Sequence, residues 1–264
     1  MSDYTYIDQR LHLLSQIIAK ANRSFIPKRD DDSHTNLGFD PISNRILGRW
    51  IQTSSERLML TYNLNLQEFQ WINDHQEIKV TISSKNKFIT QIEMELIRLS
   101  DSLSLENSDF SAPMHYEIPD YSFKNDPIPE FSSGQIKEWV HYRTLANTAS
   151  FEFIQHVGIH EEVRIWPHHF DTGIYIVVNK QLGIGFGLAM EDGLANIPYF
   201  YMSGYGLKNE LEYQNLSEPG IGRWEIGPHW KGALLPIDQI KSDQTLHQFM
   251  KDASGYFLET SRTS

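Results

Sequence analysis

Histidine is concentrated in the segment 156–236, which holds five of the chain's 11 histidines. At the centre of this segment, His169 stands two residues before Asp171. Alternate side chains of a β-strand share a face, so a strand over 169–178 would place these two side chains together with Tyr175. A carboxylate beside an imidazole can fix its orientation and raise its basicity. His169 and Asp171 are therefore the candidate catalytic residues, as acid/base and orienting partner.

The same imidazole and carboxylate could instead bind a metal ion. Zinc, iron and manganese accept histidine and carboxylate ligands. Asp192 and His229 are the further candidate ligands, and thiolate ligation is excluded because the chain has no cysteine. The plainer alternative is that His169 and Asp171 are surface residues without a shared role.

A glycine-rich strand is predicted over 183–190. Gly183, Gly185 and Gly187 would share one face of it. Glycine weakens a strand, so a bare face indicates close approach by another backbone, an aromatic ring or a ligand. The spacing is not a dinucleotide-binding fingerprint, because it reads GxGxG and no helix follows.

Tyrosines on the next predicted strand, 197–203, could lie on the same side as the glycines. Tyr199 and Tyr201 are two residues apart, so their side chains share a face. Together with His169 and Asp171 they would line a cleft over a glycine floor, able to hold a small molecule. The alternative is that a helix covers the glycine face.

Three further residues complete the candidate ligand-binding set. Trp166 precedes Pro167, which interrupts strand hydrogen bonding and leaves the direction of the tryptophan open. His229 and Trp230 lie in a glycine- and proline-rich stretch, and such loops are favoured places for binding residues. The predicted ligand-binding residues are Trp166, Tyr175, Tyr199, Tyr201, His229 and Trp230.

Four amphipathic segments predict the helices that must frame these strands. They are 4–22, 88–99, a long helix through Trp139 and Phe153 that ends at Gly158, and 243–258. The predicted strands are 46–52, 57–64, 68–72, 77–82, 162–166, 169–178, 183–190 and 197–203. Runs of strands between helices favour an α+β fold with antiparallel sheets over a parallel α/β fold.

The order helix, four strands, helix occurs twice and could reflect a duplicated unit. It predicts an N-terminal half, 1–110, and a C-terminal half, 111–264, that carries the candidate site; one continuous domain is the alternative. Within the proline-rich connector 101–133, one short strand is predicted at 115–118. His156 continues the apolar stripe of the long helix and is predicted to be a core histidine.

The composition excludes several classes of protein. The chain has 264 residues and a net charge of −11, and an acidic chain argues against nucleic-acid binding. Without cysteine, disulfides and cysteine nucleophiles are excluded. The N-terminal residues do not fit a signal peptide, and no apolar stretch approaches the length of a membrane span. A cytoplasmic location without a membrane partner is expected.

Four short motifs are spread over the second half of the chain. They are Trp166–Asp171, Glu191-Asp192, Pro198–Tyr201, and Trp230 with Gly232-Ala233. They resemble a group of uncharacterised bacterial proteins with the pattern W-P-x-H-F-D, a Gly/Ser-rich strand ending in G-D, P-Y-x-Y, and a final Trp followed by Gly-Ala. The glycine strand departs from that pattern. The resemblance implies interest in His169, Asp171, Asp192, Tyr199 and Tyr201, and it implies no activity.

Three functions are consistent with the sequence. The first is a small-molecule-binding or catalytic cleft around the His169–Asp171 pair and the neighbouring aromatic residues. The second is a non-catalytic scaffold or protein-interaction module, since Trp and Tyr are typical interface anchors. The third is a histidine/carboxylate metal site. The sequence specifies neither a cofactor nor an oligomeric state.

Overall fold

The computed structural model describes residues 3–105, 110–211, 213, 216 and 219–263. Over those residues the fold is α+β, as predicted, with four α-helices and two antiparallel six-stranded sheets. The helices are α1 (Asp3–Phe25), α2 (Ile89–Ser100), α3 (Ser133–Val157) and α4 (Asp243–Thr263). Within the described residues, no helix is long and apolar enough to cross a membrane.

The chain divides into two compact units. The first consists of Met1–Val140 and Ile165–Phe170, and the second of His141–Arg164 and Asp171–Ser264. Helix α3 therefore begins in the first unit and ends in the second. The second unit lies within the predicted C-terminal half, whereas the first takes residues from both halves.

Helix α1 forms because its apolar residues recur on one face. Ile7, Leu11 and Leu14 are at most 1% exposed, and Ile18 and Ala21 continue the same buried stripe. The predicted helix is confirmed, and it extends about one turn further at its C-terminal end.

The sheet of the first unit is an antiparallel meander. Its strands are β1 (Gly38–Asp40), β2 (Arg45–Leu47), β3 (Ile51–Gln52), β4 (Arg57–Asn63), β5 (Glu68–Asn73) and β6 (Ile78–Ser83). The order is β1-β2-β4-β5-β6, and β3 pairs with β4 as a side strand. The central strands carry the buried rings of Tyr62, Phe69 and Trp71, so the core of this unit lies against β4 and β5.

The second sheet has a different strand order. Its strands are β7 (Arg164–Ile165), β8 (Thr172–Val177), β9 (Leu182–Ala189), β10 (Tyr199–Gly206), β11 (Arg223–Ile226) and β12 (Lys231–Pro236). The order is β11-β12-β10-β9-β8-β7, so β12 lies between β10 and β11. In the first sheet, by contrast, neighbouring strands follow the order of the chain, apart from the side strand β3. The internal duplication of the chain stays a prediction.

The segment 115–118 was predicted as a strand, and this was wrong, since it is irregular. Its side chains contact residues of other segments. The His115 Nε2 lies 3.2 Å from Asp32 Oδ2, and the Tyr116 hydroxyl donates to Gln16 at 3.0 Å. Side-chain contacts thus hold this segment in place of a strand ladder.

The prediction for His156 was also wrong. The stripe that contains Trp139 and Phe153 is buried, but His156 is exposed in the last turn of α3. Gly158 ends the helix with φ of +71°, as predicted. Position 156 lies in the last turn of the helix, where the ring is open to solvent.

The glycine- and proline-rich stretch before Pro236 contains a β-hairpin that the sequence did not predict. Strands β11 and β12 pair with Trp224 opposite Ala233. The connecting turn is closed by a hydrogen bond from the Gly227 N–H to the Trp230 carbonyl at 2.9 Å. His229 is exposed in this turn.

Candidate functional site

The Trp-Pro-His-His-Phe segment forms a tight turn in the first unit rather than a strand. The Phe170 N–H donates to the Trp166 carbonyl at 2.6 Å, and Phe170 has φ of +60°. That left-handed conformation costs a non-glycine residue about 1–3 kcal/mol, so packing must hold it. Regular strand structure begins only at Thr172. The prediction that His169 lies on this strand, sharing a face with Asp171, was therefore wrong.

His12 on helix α1 anchors this turn. Its Nε2 lies 2.9 Å from the Pro167 carbonyl, which also accepts from Gln16 Nε2 at 2.7 Å. A carbonyl can only accept, so Nε2 is the donor and a neutral His12 accepts from the Tyr121 hydroxyl at 2.7 Å through Nδ1. The His12 ring also stacks on Phe170, with centroids 5.2 Å apart. The Pro and Phe of the motif thus have structural roles.

The two histidines of the turn lie close together. The His168 and His169 ring centroids are 4.3 Å apart. Burial, followed by the neighbouring His169 and His115, lowers the pKa of His168 from 6.5 to about 4. His168 is therefore neutral near pH 7, while His169 is exposed.

The described residues contain no group of three or more His, Cys, Asp or Glu side chains that could hold a metal ion. The four predicted ligands, which are His169, Asp171, Asp192 and His229, therefore do not form such a group, and neither do the histidines near Asp32. The metal hypothesis therefore finds no support from clustering in the described part of the chain.

In the second unit, strands β8, β9 and β10 form a continuous patch that we call the tyrosine face. It consists of Gly173, Tyr175, Gly183, Gly185, Gly187, Tyr199, Tyr201, Ser203 and Tyr205. The register places Gly187 between Gly173 and Tyr201, and Gly185 between Tyr175 and Ser203. Three glycines on the central strand therefore form the floor, as predicted.

These glycines are approached closely by tyrosine rings and by the backbone of a neighbouring strand. Both kinds of neighbour were predicted from the sequence. A Cβ on Gly183 would lie 2.5 Å from the Tyr175 hydroxyl oxygen, and one on Gly185 would lie 3.2 Å from the Tyr205 ring. A Cβ on Gly187 would lie 2.6 Å from the Thr172 carbonyl oxygen. Larger residues would displace the rings or separate the strands.

Helices α3 and α4 contact the opposite side of the sheet. Phe153 of α3 packs on Phe186 at 6.1 Å between centroids, and Arg143 donates to Thr172 Oγ1 at 2.6 Å. On α4, Phe257 lies where a side chain on Gly204 would be. The sheet residues in these contacts alternate with those of the tyrosine face, so the contacts do not cover it.

Two carboxylates lie beside the buried tyrosine hydroxyls. The Tyr199 hydroxyl donates to Asp192 Oδ2 at 2.7 Å. Asp171 lies close enough to Tyr201 to raise the pKa of its hydroxyl. Burial, followed by Asp192 in one case and Asp171 in the other, raises the pKa of both tyrosines well above 10. Both phenols are protonated at neutral pH, so each hydroxyl can donate a hydrogen bond.

The tyrosine face changes from buried to exposed along its length. Tyr199 is 3% exposed in a small cluster with Ala189 and Leu234, to which the partly buried Trp230 is added. At the other end Tyr175 is 37% and Tyr205 43% exposed, and their rings meet edge to face at 5.6 Å. The face therefore offers buried polar pairs at one end and accessible rings at the other.

The structure brings together some of the predicted site residues. Those in the second unit on or beside the tyrosine face are Asp171, Tyr175, Asp192, Tyr199, Tyr201 and Trp230. Trp166 and His169 belong to the first unit, and His229 lies exposed in its hairpin turn.

Sequence reasoning missed Tyr205 and His12. Tyr205 shares the parity of Tyr199 and Tyr201, and a longer predicted strand would have included it. His12 gave no such signal, because its partner Pro167 is 155 residues away along the chain.

Comparison of the chain with protein-family models, curated proteins and solved structures gives no match. The resemblance to the W-P-x-H-F-D group therefore stays a prediction.

Proposed function

We propose that the second unit binds a small hydroxylated molecule on the tyrosine face. The observation that carries this proposal is that the hydroxyls of Tyr199 and Tyr201 lie beside Asp192 and Asp171, next to a glycine floor. The glycines let the rings of Tyr175 and Tyr205 pack directly on the sheet, where they line its accessible end. Convergent polar groups next to aromatic rings are typical of small-molecule sites.

The chemistry of the polar groups supports this class of ligand. Carboxylate oxygens and tyrosine hydroxyls can accept hydrogen bonds from ligand hydroxyl groups. Asp192 also accepts from the Leu194 N–H at 2.8 Å and the Ala195 N–H at 3.4 Å through Oδ1, so the loop backbone fixes this carboxylate beside Tyr199. The exposed rings of Tyr175 and Tyr205 supply an apolar surface for the C–H groups of a sugar or polyol.

The catalytic roles of His169 and Asp171 stay a prediction. The cytoplasmic location also remains a proposal.

A protein-interaction role is the second candidate function, because the exposed end of the face is partly apolar. Val177 and Tyr205 both pair with Gly183 in the register, and they are 52% and 43% exposed. If this end binds a second copy of the chain, the molecular mass from light scattering will rise with concentration, and Val177→Asp will abolish the rise.

Thermal shifts with a panel of hydroxylated compounds test the main proposal. The probes are glucose, maltose, ribose and myo-inositol at millimolar concentration. We expect at least one to raise the Tm of the wild-type protein, and Asp171→Asn and Tyr201→Phe to abolish the shift. Tyr256→Phe, on helix α4, is the matched control and should keep it. The proposal fails if no probe raises the Tm, or if both site variants respond as the wild type does.

A further inference from the structure

A cavity of about 820 Å³ lies in the second unit, outside the tyrosine face. The C-terminal part of α3, helix α4 and the segment 219–224 form its walls. Its volume lies within the range of cavities that hold small organic ligands. None of its lining residues belongs to the tyrosine face, so it is a separate site.

Aromatic rings form much of the cavity lining. Trp224 and Tyr256 meet edge to face, with ring centroids 5.2 Å apart, and both are partly exposed. Phe153 also lines the cavity and is itself buried. Phe257 supports Trp224 from behind at 5.8 Å. Packing on neighbouring rings holds the tryptophan in place, so the aromatic wall is preorganised.

The charged groups of the lining are mainly acidic. Glu152, Asp252 and Glu259 contribute three carboxylates, whereas Lys251 is the only Lys or Arg among the lining residues. Glu152 Oε2 lies 2.6 Å from His247 Nε2, which orients the carboxylate at the cavity. The balance of charge favours a positively charged ligand.

Asp252 has a structural role in this arrangement. Its Oδ1 accepts from Gln248 Nε2 at 2.6 Å, and its Oδ2 accepts from the Gly220 N–H at 3.3 Å. These bonds tie the segment 219–224 to helix α4. Both oxygens of Asp252 are used in this way, whereas the His247 contact of Glu152 is made through Oε2, so we assign the pairing with a ligand to Glu152.

We propose that this cavity binds an organic cation that carries a flat apolar group, such as an arylalkylamine. An ammonium group is attracted both to a carboxylate and to the faces of Trp and Tyr rings. The flat group would pack against Trp224, Tyr256 and Phe153. This inference does not depend on the function proposed for the tyrosine face.

Three indole compounds that differ in charge provide the probes. Tryptamine is a cation, tryptophol is its neutral analogue, and indole-3-propionate is an anion. In isothermal titration with the full chain, we expect tryptamine to bind about ten-fold more tightly than tryptophol. The anion should bind more weakly than either. Equal affinity for all three probes, or no binding of tryptamine at millimolar concentration, overturns the proposal.

Variants locate the binding. Glu152→Gln should remove most of the preference for tryptamine over tryptophol, and Trp224→Ala should weaken both. Glu225→Gln is the control, because its side chain points to the other face of β11 and is absent from the cavity lining. Should Trp224→Ala fail to fold, Glu152→Gln alone decides the outcome, and an unchanged preference overturns the proposal.

A third variant separates this site from the tyrosine face. Asp171→Asn should leave tryptamine binding unchanged. If Asp171→Asn abolishes tryptamine binding and Glu152→Gln leaves the preference for tryptamine unchanged, the cation binds elsewhere and the cavity proposal is wrong. Loss of the sugar response in the Asp171 variant has no bearing on this result.

Discussion

At the scale of single residues, hydroxyl groups on the second sheet are held as donors. Burial and the neighbouring carboxylates Asp171 and Asp192 raise the pKa of Tyr201 and Tyr199. A phenolate at either position would be desolvated and next to a like charge. The protonated Tyr199 hydroxyl therefore donates to Asp192 and helps to hold this carboxylate in place.

Replacing Tyr199 by Phe tests this pairing through stability. The change removes the 2.7 Å bond to Asp192, and we expect the free energy of unfolding to fall by about 1 kcal/mol. Urea denaturation measures it. Tyr205→Phe, at a residue that is 43% exposed, should cost less than about 0.5 kcal/mol. Equal losses for the two variants would contradict the pairing.

His12 provides a second residue-scale prediction, for the turn in the first unit. His12→Phe keeps a ring against Phe170 but leaves the Tyr121 hydroxyl without this partner. We expect a loss of about 1–3 kcal/mol in urea denaturation. His75→Phe, at an exposed position, is the control and should be nearly neutral. A neutral His12→Phe would show that the turn does not depend on this histidine.

At the scale of elements, the spacing of apolar residues predicted the helices and strands whose formation depends on the local sequence. The helices and most strands appear where apolar spacing places them, including the stripe of α1. The strand expected to begin at 169 begins at Thr172, because Phe170 adopts a left-handed conformation that packing imposes. The β11–β12 hairpin was missed because its glycines, proline and polar residues weaken the strand signal.

The candidate site was predictable only in part, because the alternation of side chains holds along a strand but not in a turn or loop. Alternation along β10 correctly grouped Tyr199 and Tyr201, since a strand fixes the face of each side chain. His169 was assigned to that face by the same rule, but it lies in a turn, where alternation does not hold. The pairing of Asp192 with Tyr199 depends on the fold of a loop that periodicity does not describe.

Substitution of a glycine in the floor tests how closely the strands pack. A Cβ at Gly187 would meet the backbone oxygen of Thr172 at 2.6 Å, and backbone cannot rotate away. Gly187→Ala should therefore destabilise the protein by about 1–3 kcal/mol. Gly193→Ala is the control, since no atom lies within 4 Å of its Cβ position. Thermal denaturation that shows the same Tm for both variants would contradict the close strand approach.

At the scale of the whole molecule, the two sides of one sheet carry different chemistry. The tyrosine face pairs hydroxyls with carboxylates, whereas the cavity beside α3 and α4 combines aromatic rings with acidic groups. The histidines of the segment 156–236 do not gather on either side of this sheet. His168 and His169 lie in the first unit, and His229 lies exposed in a hairpin turn.

The pH dependence of global stability tests the environment of His168. Its pKa is about 4 in the folded protein and 6.5 in an ordinary setting, so the unfolded chain takes up this proton first. The group therefore lowers stability as the pH falls from about 6.5 to about 4, by at most about 1.4 kcal/mol per pH unit. We expect His168→Gln to flatten the urea-denaturation profile in that window, whereas His75→Gln should not. An unchanged slope in His168→Gln would contradict the lowered pKa.

The most direct test of the central claim is NMR of protein labelled with ¹³C in its tyrosine rings, titrated with glucose, maltose, ribose and myo-inositol. Binding on the tyrosine face predicts shifts of the Tyr175, Tyr201 and Tyr205 signals for at least one compound, with the signals of the buried Tyr62 and of Tyr256 unchanged. Asp171→Asn should remove those shifts. Shifts confined to other tyrosines, or no shift with any of the four compounds, would contradict the account.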